Sequence, residues 1–567
     1  MNENLTSQPA VRIVPLGSAG HVNRNMYVYE YLPDGQRVQD IFVVDCGVEF
    51  PDAEQLGVDL IIPDTTYLQD KLNLIRGVVI THAHEDHYGA LPYLLKNIGN
   101  PPVYAAKLAL GFIKHKLEQF GGIGNLSFHE IIPEIDPFEL GAFNITPFRM
   151  NHSLPDTLGF FMNTPIGNLI HATDFKFDWT PVDGKQFEIA KLAQLSAQGV
   201  LLLASDSLGA EKEGFTHSEK TLTETFENVI SHADGQVFIT TISSNISRMQ
   251  QAIDVSRKYG RSVCFAGRSI QQNVQVAHGL GYIDFPEEII VDGKNARNMS
   301  PDKITYIITG CYAQTNSGLD RVSRKEHREI ELTENATVLF SGDPIPGVQD
   351  SVGAMIDRLT MLGANVIYSE IQDNLHVSGH GVRGDLRLMV ALTRPKYFMP
   401  IGGDPRHQRA YAKLVEDMGY KKESVFEMRS GDTLLLTKDG VGMGEKVEVQ
   451  DVFVDGNVVG DVGNVVLRDR QILSEEGIVV VILQKDAQSQ FTKSVSLVSR
   501  GFVYMADSGK MINGAERIVQ NDIANKHVRE WSKVKEHIEK KLSDYFYQQT
   551  GRSPMIIVFL IDAGLKK

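Results

Sequence analysis

Apolar residues recur along this chain mostly in short β-branched runs that stop at Gly, Asp or His. Val11–Gly17, Ile41–Asp45, Gly77–Thr81 and Val200–Asp206 are such runs, and each reads as a buried strand. Because the polar residue comes at the end of each run, the loops along one rim collect the chemistry. Tyr88–Lys96 reads as a short amphipathic helix behind the third run. From residue 217 the period changes to longer helix-strand units. Ser218–Ala233 predicts a helix, with Thr216 or Ser218 as its N-cap. Strands are predicted at Gln236–Thr241, Arg261–Phe265, Thr305–Thr309 and Thr337–Ser341. A helix at Asp385–Leu392 and a strand at Tyr397–Ile401 return to the first pattern, and glycine-rich sequence from about 440 to 464 reads as a linker with short strands. The strand Ile478–Leu483, the helix Ala524–Thr550 and the strand Met555–Ile561 predict a small α+β unit. There is no internal repeat and no low-complexity tract.

Composition narrows the class. The 567 residues suffice for several domains, and 42% hydrophobic with 22% charged residues is the balance of a soluble globular protein. No apolar run approaches the ~20 residues of a membrane span, so no membrane partner is expected. The polar start, Met1–Ala10, lacks a signal peptide's basic and apolar parts. Cys46, Cys264 and Cys311 lie far apart and make no CxxC pair, which fits a reducing cytoplasm. A formal charge of −15 argues against a surface coated in basic residues for duplex binding. It leaves room for a local basic channel, and metal ions also bring positive charge to a phosphate site.

The densest chemistry is Thr81-His82-Ala83-His84-Glu85-Asp86-His87, at the carboxyl end of a strand, where α/β folds place ligands. In an extended segment residues i and i+2 face the same way, so His82 and His84 can reach one metal. Asp86 and His87 fall where the chain turns into the helix and can face a second ion. Neutral imidazole and carboxylate both suit zinc. Two ions roughly 3.5–4 Å apart can hold a hydroxide and clamp a phosphoryl group. Further ligands are offered by His152, after the run Phe143–Met150, and by Asp174, after Gly167–Ile170. Either alone reads more readily as a loop cap than as a ligand.

His82-x-His84-x-Asp86-His87, then His152, then Asp174, resembles the metal site of the metallo-β-lactamase fold. Other segments are similar to one branch of it, the β-CASP ribonucleases, and within that branch to the bacterial ribonuclease J family. They include Val44–Pro51, Leu56–Asp64, Asp174–Asp178, Pro344–Gly347, His376–His380, Asp461–Val466 and Arg500–Tyr504. The resemblance implies an α/β chain: a metallo-β-lactamase αββα sandwich, an inserted β-CASP α/β domain and a small C-terminal α+β domain. The expected limits are 1–216 and 385–445 for the two parts of the first domain, 217–384 for the insert, 446–468 for a linker and 469–567 for the last domain.

Carried over by residue, the resemblance implies one zinc at His82, His84, His152 and Asp174, and another at Asp86, His87 and Asp174. Asp86, Asp206 and His380 are the expected catalytic group, with Asp206 orienting a neighbour and His380 assisting protonation at the scissile phosphate. His376, Val377, Ser378, Gly379 and His380 are the expected RNA-phosphate pocket. Ser244 and Asn245 offer a second phosphate contact, and a helix cap explains them equally well. The implied activity is endonuclease and 5′-to-3′ exonuclease action on single-stranded, 5′-monophosphorylated RNA in the cytoplasm, by a homodimer or homotetramer. A DNA-processing nuclease and a noncatalytic RNA-binding subunit are the alternatives.

One departure stands out. The family's His-Gly-Glu triplet is replaced by Gly402-Gly403-Asp404, so the second ion's remaining ligand is expected to be missing. Asp404 and His407 lie close by as substitutes, and His407 reads better as a helix-start residue. His21 stands where the family usually has Glu, and reads as a solvated loop residue.

Overall fold

The computed structural model describes residues 8–562, apart from 53, 136, 343–347, 457, 487–490, 504–508 and 526–530. The expected features Pro344–Gly347 and Tyr504, and most of the polar start, lie outside the described residues. The chain forms two compact units, Met1–Phe50 with Ile61–Val452, and Pro51–Leu60 with Phe453–Lys567.

In the first unit, two sheets stack on one core. Strands Ala10–Gly17, Met26–Leu32, Asp40–Val44, Ile75–Ile80 and Leu434–Thr437 belong to an eight-stranded sheet. Phe143–Met150, Thr157–Thr164, Gly167–Ala172, Leu202–Asp206 and Tyr397–Ile401 belong to a six-stranded sheet. Alternation along each strand sorts the side chains. Phe160, Leu202, Ala204, Met399 and Ile401 face inward on Tyr29, Phe42, Phe143 and Leu434. Their neighbours Phe161, Leu203 and Phe398 face the other way. There they meet Leu192, Leu386, Met389, Tyr411 and Leu414 of helices Ile189–Ser196, Arg383–Thr393 and Pro405–Asp417. Burial of the apolar stripes of these helices completes an αββα sandwich.

Between these segments the chain builds a five-stranded sheet, with strand order Ser262–Ala266, Ile304–Ile308, Val237–Thr240, Thr337–Phe340, Asn365–Ile367. Every pairing in it is parallel. Covered on both faces, such strands read as continuous apolar runs rather than alternating ones. The predicted helix at Ser218–Ala233 is Thr221–Ser231 in the structure. Ser218 instead forms a turn, accepting from the Lys220 N–H, and Thr216 is drawn away to the backbone of His380 and Val382.

The second unit departs more from expectation. Residues 51–60, expected in the first domain, belong here. The Asp59 N–H donates to the Val454 carbonyl, and Arg470 donates to the Leu56 carbonyl. No local pattern in 51–60 marks a partner four hundred residues away. The expected linker carries strands Val452–Asp455 and Val458–Val459 and the start of a helix, Asn464–Glu475. The helix expected at Ala524–Thr550 is Trp531–Thr550 in the structure, and a further helix, Gly509–Asn525, precedes it where none was expected. Ile512, Ala515 and Val519 of the first, at helical spacing, are buried against Val479, Val481 and Val558 of the terminal sheet. Among the described residues, no helix is long and apolar enough to cross a membrane.

Candidate metal centre and phosphate loop

The histidine motif leaves the strand Ile75–Ile80 and bends at His82 and Ala83 before a helical turn, Glu85–Tyr88. The bend, rather than the expected extended run, is what brings His82 Nε2 within 3.0 Å of His84 Nδ1. His152 Nε2 closes on the same atom at 3.1 Å. Asp174 Oδ2 stands 3.6 Å from His82 Nε2 and 3.7 Å from His152 Nε2. These four residues offer ligand atoms within 4.8 Å of one another, and so do Asp86, His87 and Asp174.

Imidazole nitrogens facing each other this closely cannot all carry protons. Burial, joined by neighbouring histidines, holds His82 and His152 well below the ordinary range, and burial pushes His84 down to about 3. Three neutral imidazoles and a carboxylate, converging without protons between them, are a four-coordinate donor set of the kind zinc takes. The residues therefore fit a metal. Asp174, the acidic corner shared by both groups, sits at φ +37°, in the left-handed region that a non-glycine residue rarely adopts.

Supporting groups fix the rings. His152 Nδ1–H donates to the Gly379 carbonyl at 2.8 Å, which leaves Nε2 free toward the cluster. His87 Nδ1 lies 2.8 Å from Asp45 Oδ2, while its Nε2 stands 3.2 Å from Asp174 and 3.4 Å from Asp86. Burial alone would lower His87, but Asp174, Asp86 and Asp45 hold it well above the ordinary range. Asp45, itself buried, also accepts from the Thr81 N–H at 2.8 Å. Gly47 is required nearby, since a Cβ there would lie 1.6 Å from the Asp86 carbonyl oxygen.

His380 completes the centre. Its Nδ1 lies 2.8 Å from Asp206 Oδ2, and its Nε2 lies 3.9 Å from Asp174. Burial would lower this imidazole, yet Asp206 and Asp174 raise it to about 9. The loop that carries it is held from below. Thr216 Oγ1 donates to the His380 carbonyl, and the Gly381 N–H donates to Phe175. Asp385, fully buried, accepts from the N–H groups of Phe177, Thr216 and Val382. Lys176 donates to the Ser378 carbonyl and Arg248 to the Val377 carbonyl.

At the second group Gly402 brings no side chain. A Cβ on Gly402 would stand 3.6 Å from Asp206 Oδ1 and 3.7 Å from Asp174 Oδ1. Neither expected substitute reaches it. Asp404 is the N-cap of the helix Pro405–Asp417 and pairs with Arg406 at 3.2 Å. His407 is a buried helix-start residue whose Nδ1 accepts from the Asp404 N–H. His21 is exposed. Asn245 is buried and caps the helix Ile246–Lys258, its Oδ1 accepting from the Arg248 N–H, so its side chain already has the bland role that the sequence left open. Ser244 is buried beside it. Sequence reasoning did not single out Thr81, Glu219, Arg248 and Asp385. Their signal is weak, because a polar residue in a helix or loop gives no sign of being buried.

Comparison with known proteins adds a lineage to this geometry. Residues 19–225 match the metallo-β-lactamase superfamily, and 234–359 match the β-CASP domain of ribonuclease J. Residues 364–425 match the RNA specificity domain of Zn-dependent metallo-hydrolases, and 465–563 match the ribonuclease J C-terminal domain. The chain is 36% identical to Ribonuclease J 1 of Streptococcus pyogenes over 564 residues, covering 98% of this chain and 99% of that one. It is 36% identical to Ribonuclease J of Thermus thermophilus, covering 98% and 96%, and 34% identical to Ribonuclease J2 of Bacillus subtilis, covering 97% and 98%. A solved protein of unknown function from Enterococcus faecalis superposes on 75% of the chain with a TM-score of 0.52 at 13% identity, a likeness of fold alone.

Proposed function

Because this chain belongs to the ribonuclease J family, we propose that it hydrolyses RNA phosphodiesters with zinc held by residues of its metallo-β-lactamase segment. That it is a metal-dependent hydrolase follows from the family and from the ligand cluster. The substrate and the working details are our reading. The observation that carries it is the convergence of His82, His84, His152 and Asp174 beside the His380–Asp206 pair.

In this reading His82, His84, His152 and Asp174 hold one ion, and Asp86, His87 and Asp174 hold another more weakly. When bound, the ions supply Lewis acidity and positive charge opposite the phosphoryl oxygens. Asp45 accepts from His87 and Gly379 accepts from His152, so both rings are aimed at the centre by their other nitrogen, and Nε2 of His87 would give up its proton on binding an ion. Asp206 accepts from Nδ1–H of His380 and favours the protonated imidazole. Its Nε2–H then delivers a proton at the leaving oxygen. The loop from His376 to His380 binds RNA phosphates, with Ser378 Oγ and the Gly379 N–H as partners, and Ser244 a further contact. Single-stranded RNA with a 5′ monophosphate is the preferred substrate, cut both internally and from the 5′ end in the cytoplasm. The chain works as a homodimer or homotetramer assembled through residues 469–567, with 217–384 as the second wall of the cleft, 1–216 and 385–445 as the first, and 446–468 as the connection.

Cleavage of RNA carrying a 5′ monophosphate, a 5′ hydroxyl or a circular form, in competition with DNA of the same sequence, tests this reading. Zinc-loaded protein should cut the RNA, and the His84→Ala variant should lose at least ~100-fold, since His84 is a ligand of the fuller site. Preferred cutting of DNA would replace the substrate assigned here. Tight RNA binding with no turnover by the metal-loaded chain would favour the second reading, an RNA-binding subunit of a degradation complex. Gly402 is the observation on that side.

A further inference from the structure

Beneath the phosphate loop lies a buried charge network that the reaction described above does not use. Arg248, on the helix Ile246–Lys258, is wholly buried. Its Nη2 donates to both carboxylate oxygens of Glu219, at 2.9 and 3.2 Å, and to the Val377 carbonyl. Its Nη1 donates to the Ser341 carbonyl at 2.8 Å and meets His376 Nδ1 at 3.0 Å. Lys176, equally buried, bonds the same Glu219 at 3.3 Å and the Ser378 carbonyl at 3.2 Å. Burying two cations is costly, and a bidentate partner such as Glu219 offsets it only in part. An apolar pair would hold the helix to the loop at lower cost, so the network calls for a reason beyond packing.

The contact between Arg248 and His376 supplies one. A guanidinium has donors only and does not deprotonate in proteins. The nitrogen it meets must therefore accept, which means that Nδ1 of His376 carries no proton. In a neutral imidazole the proton is then on Nε2. His376 is half-buried, and no protein group among the described residues bonds its Nε2. We propose that Arg248 is a positioning residue that fixes His376 as the neutral tautomer with its proton on Nε2, a permanent hydrogen-bond donor for a phosphoryl oxygen of the substrate.

The surrounding charges agree. The groups acting on His376 are Arg248, Lys176, Lys212 and His380, all able to carry positive charge, and burial and those cations hold it well below its ordinary range. Glu219 is taken up by Arg248 and Lys176. A protonated His376 would face Arg248 with two donors opposed. A freely rotating neutral one would present an acceptor to an anion half the time. The network removes both states before the substrate arrives, which is preorganisation in the sense that lowers the cost of binding.

The inference rests on the phosphate-loop reading for its purpose but not for its test. Long-range nitrogen-15 spectra of histidine-labelled full-length protein, with His376→Gln used to assign the signal, report the tautomer without any substrate. A neutral Nε2–H form that persists as pH falls through about 6.5, the ordinary histidine value, is expected. An Nδ1–H form, or protonation near that pH, would overturn the proposal. In Arg248→Met the signal should become a tautomer mixture that titrates, and Arg248→Lys, which keeps a donor and a charge, should restore it. An unchanged signal in Arg248→Met would also overturn it. Should the methionine variant not fold, the native spectrum alone decides. Calorimetric binding of uridine 5′-monophosphate adds the functional arm. His376→Leu should weaken it more than about 10-fold and His376→Gln, whose amide can both accept and donate, about 3-fold. No binding to the native protein would remove the phosphate reading while leaving the tautomer result standing. Equal losses in the two variants would remove the donor role.

Discussion

At the scale of single residues, the function proposed above makes Gly402 the position that sets how many ions the centre holds. The first ligand set has four members and the second has three, sharing Asp174. Even weaker perturbations, to groups that only support a ligand, lower metal affinity about 10–100-fold. A side chain at 402 has room, because the nearest atom to its Cβ would be 3.6 Å away. The backbone there has φ +64°, a conformation that costs a non-glycine residue roughly 1–2 kcal/mol and that histidine tolerates better than most. Gly402→His should therefore raise tightly held zinc from about one to about two per chain, read by native mass spectrometry after dialysis. Two tightly held ions in the unaltered chain would sink this view of Gly402. The titrating rings make a second residue-scale prediction. In metal-free protein His84, pushed down to about 3, binds fewer protons folded than unfolded. Its share of stability is present above about 6.5 and is lost as pH falls through about 3. His380, raised to about 9, has the opposite sign, its share present below about 6.5 and lost as pH rises through about 9. Denaturant midpoints of the metal-free protein should fall on both sides of neutrality. His380→Gln should flatten the alkaline side only, and a steepened alkaline side would contradict the assignment.

At the scale of elements, the segment from His376 to Gly381 ties the two halves of the centre together. A Cβ on Gly379 would lie 2.5 Å from His152 Cε1 and 2.6 Å from Nδ1, while the carbonyl of the same residue accepts from that ring. Gly379→Ala must push His152 or the loop aside. It should cost about 1–3 kcal/mol of stability and reduce zinc affinity together with RNA cleavage, since ligand and loop move as one. Zinc affinity unchanged to within twofold would show that the loop yields and His152 stays. The same element shows what a sequence does and does not reveal. The converging candidates were legible because their chemistry is local: His82, His84, Asp86 and His87 are crowded at a strand end, and His152 and Asp174 repeat that placement. Most of the strands were legible for the same reason, as apolar runs with polar stops. The partners that aim the ligands were not. Asp45 reaches His87 across 42 positions and Gly379 reaches His152 across 227. Arg248 looks like any basic residue on an amphipathic helix until its burial is known. Residues 51–60 join the second unit through the Asp59 N–H, the Leu56 carbonyl and the Asp59 carboxylate, and neither backbone groups nor one acidic side chain mark a distant partner in the sequence pattern.

At the scale of the molecule, the ligand clusters belong to one compact unit, and the other has a separate core. All six ligand candidates lie within Ile61–Val452. Residues Phe453–Lys567 are built around Val479, Val481, Leu483, Leu542 and Phe546, none of them near a ligand in sequence. A ligand that binds only the folded state stabilises what it binds, by about 2.7 kcal/mol at a hundredfold excess over its dissociation constant. The C-terminal unit gains nothing from this unless the two melt as one. Calorimetric scans of the whole chain should accordingly show zinc raising one transition and leaving a second unmoved, with chelation reversing the shift. In His82→Ala the zinc-dependent shift should disappear while the second transition stays where it was. A single transition that moves as a whole would mean that the units unfold together. A shift that survives His82→Ala would place the stabilising ion somewhere other than the cluster of His82, His84, His152 and Asp174.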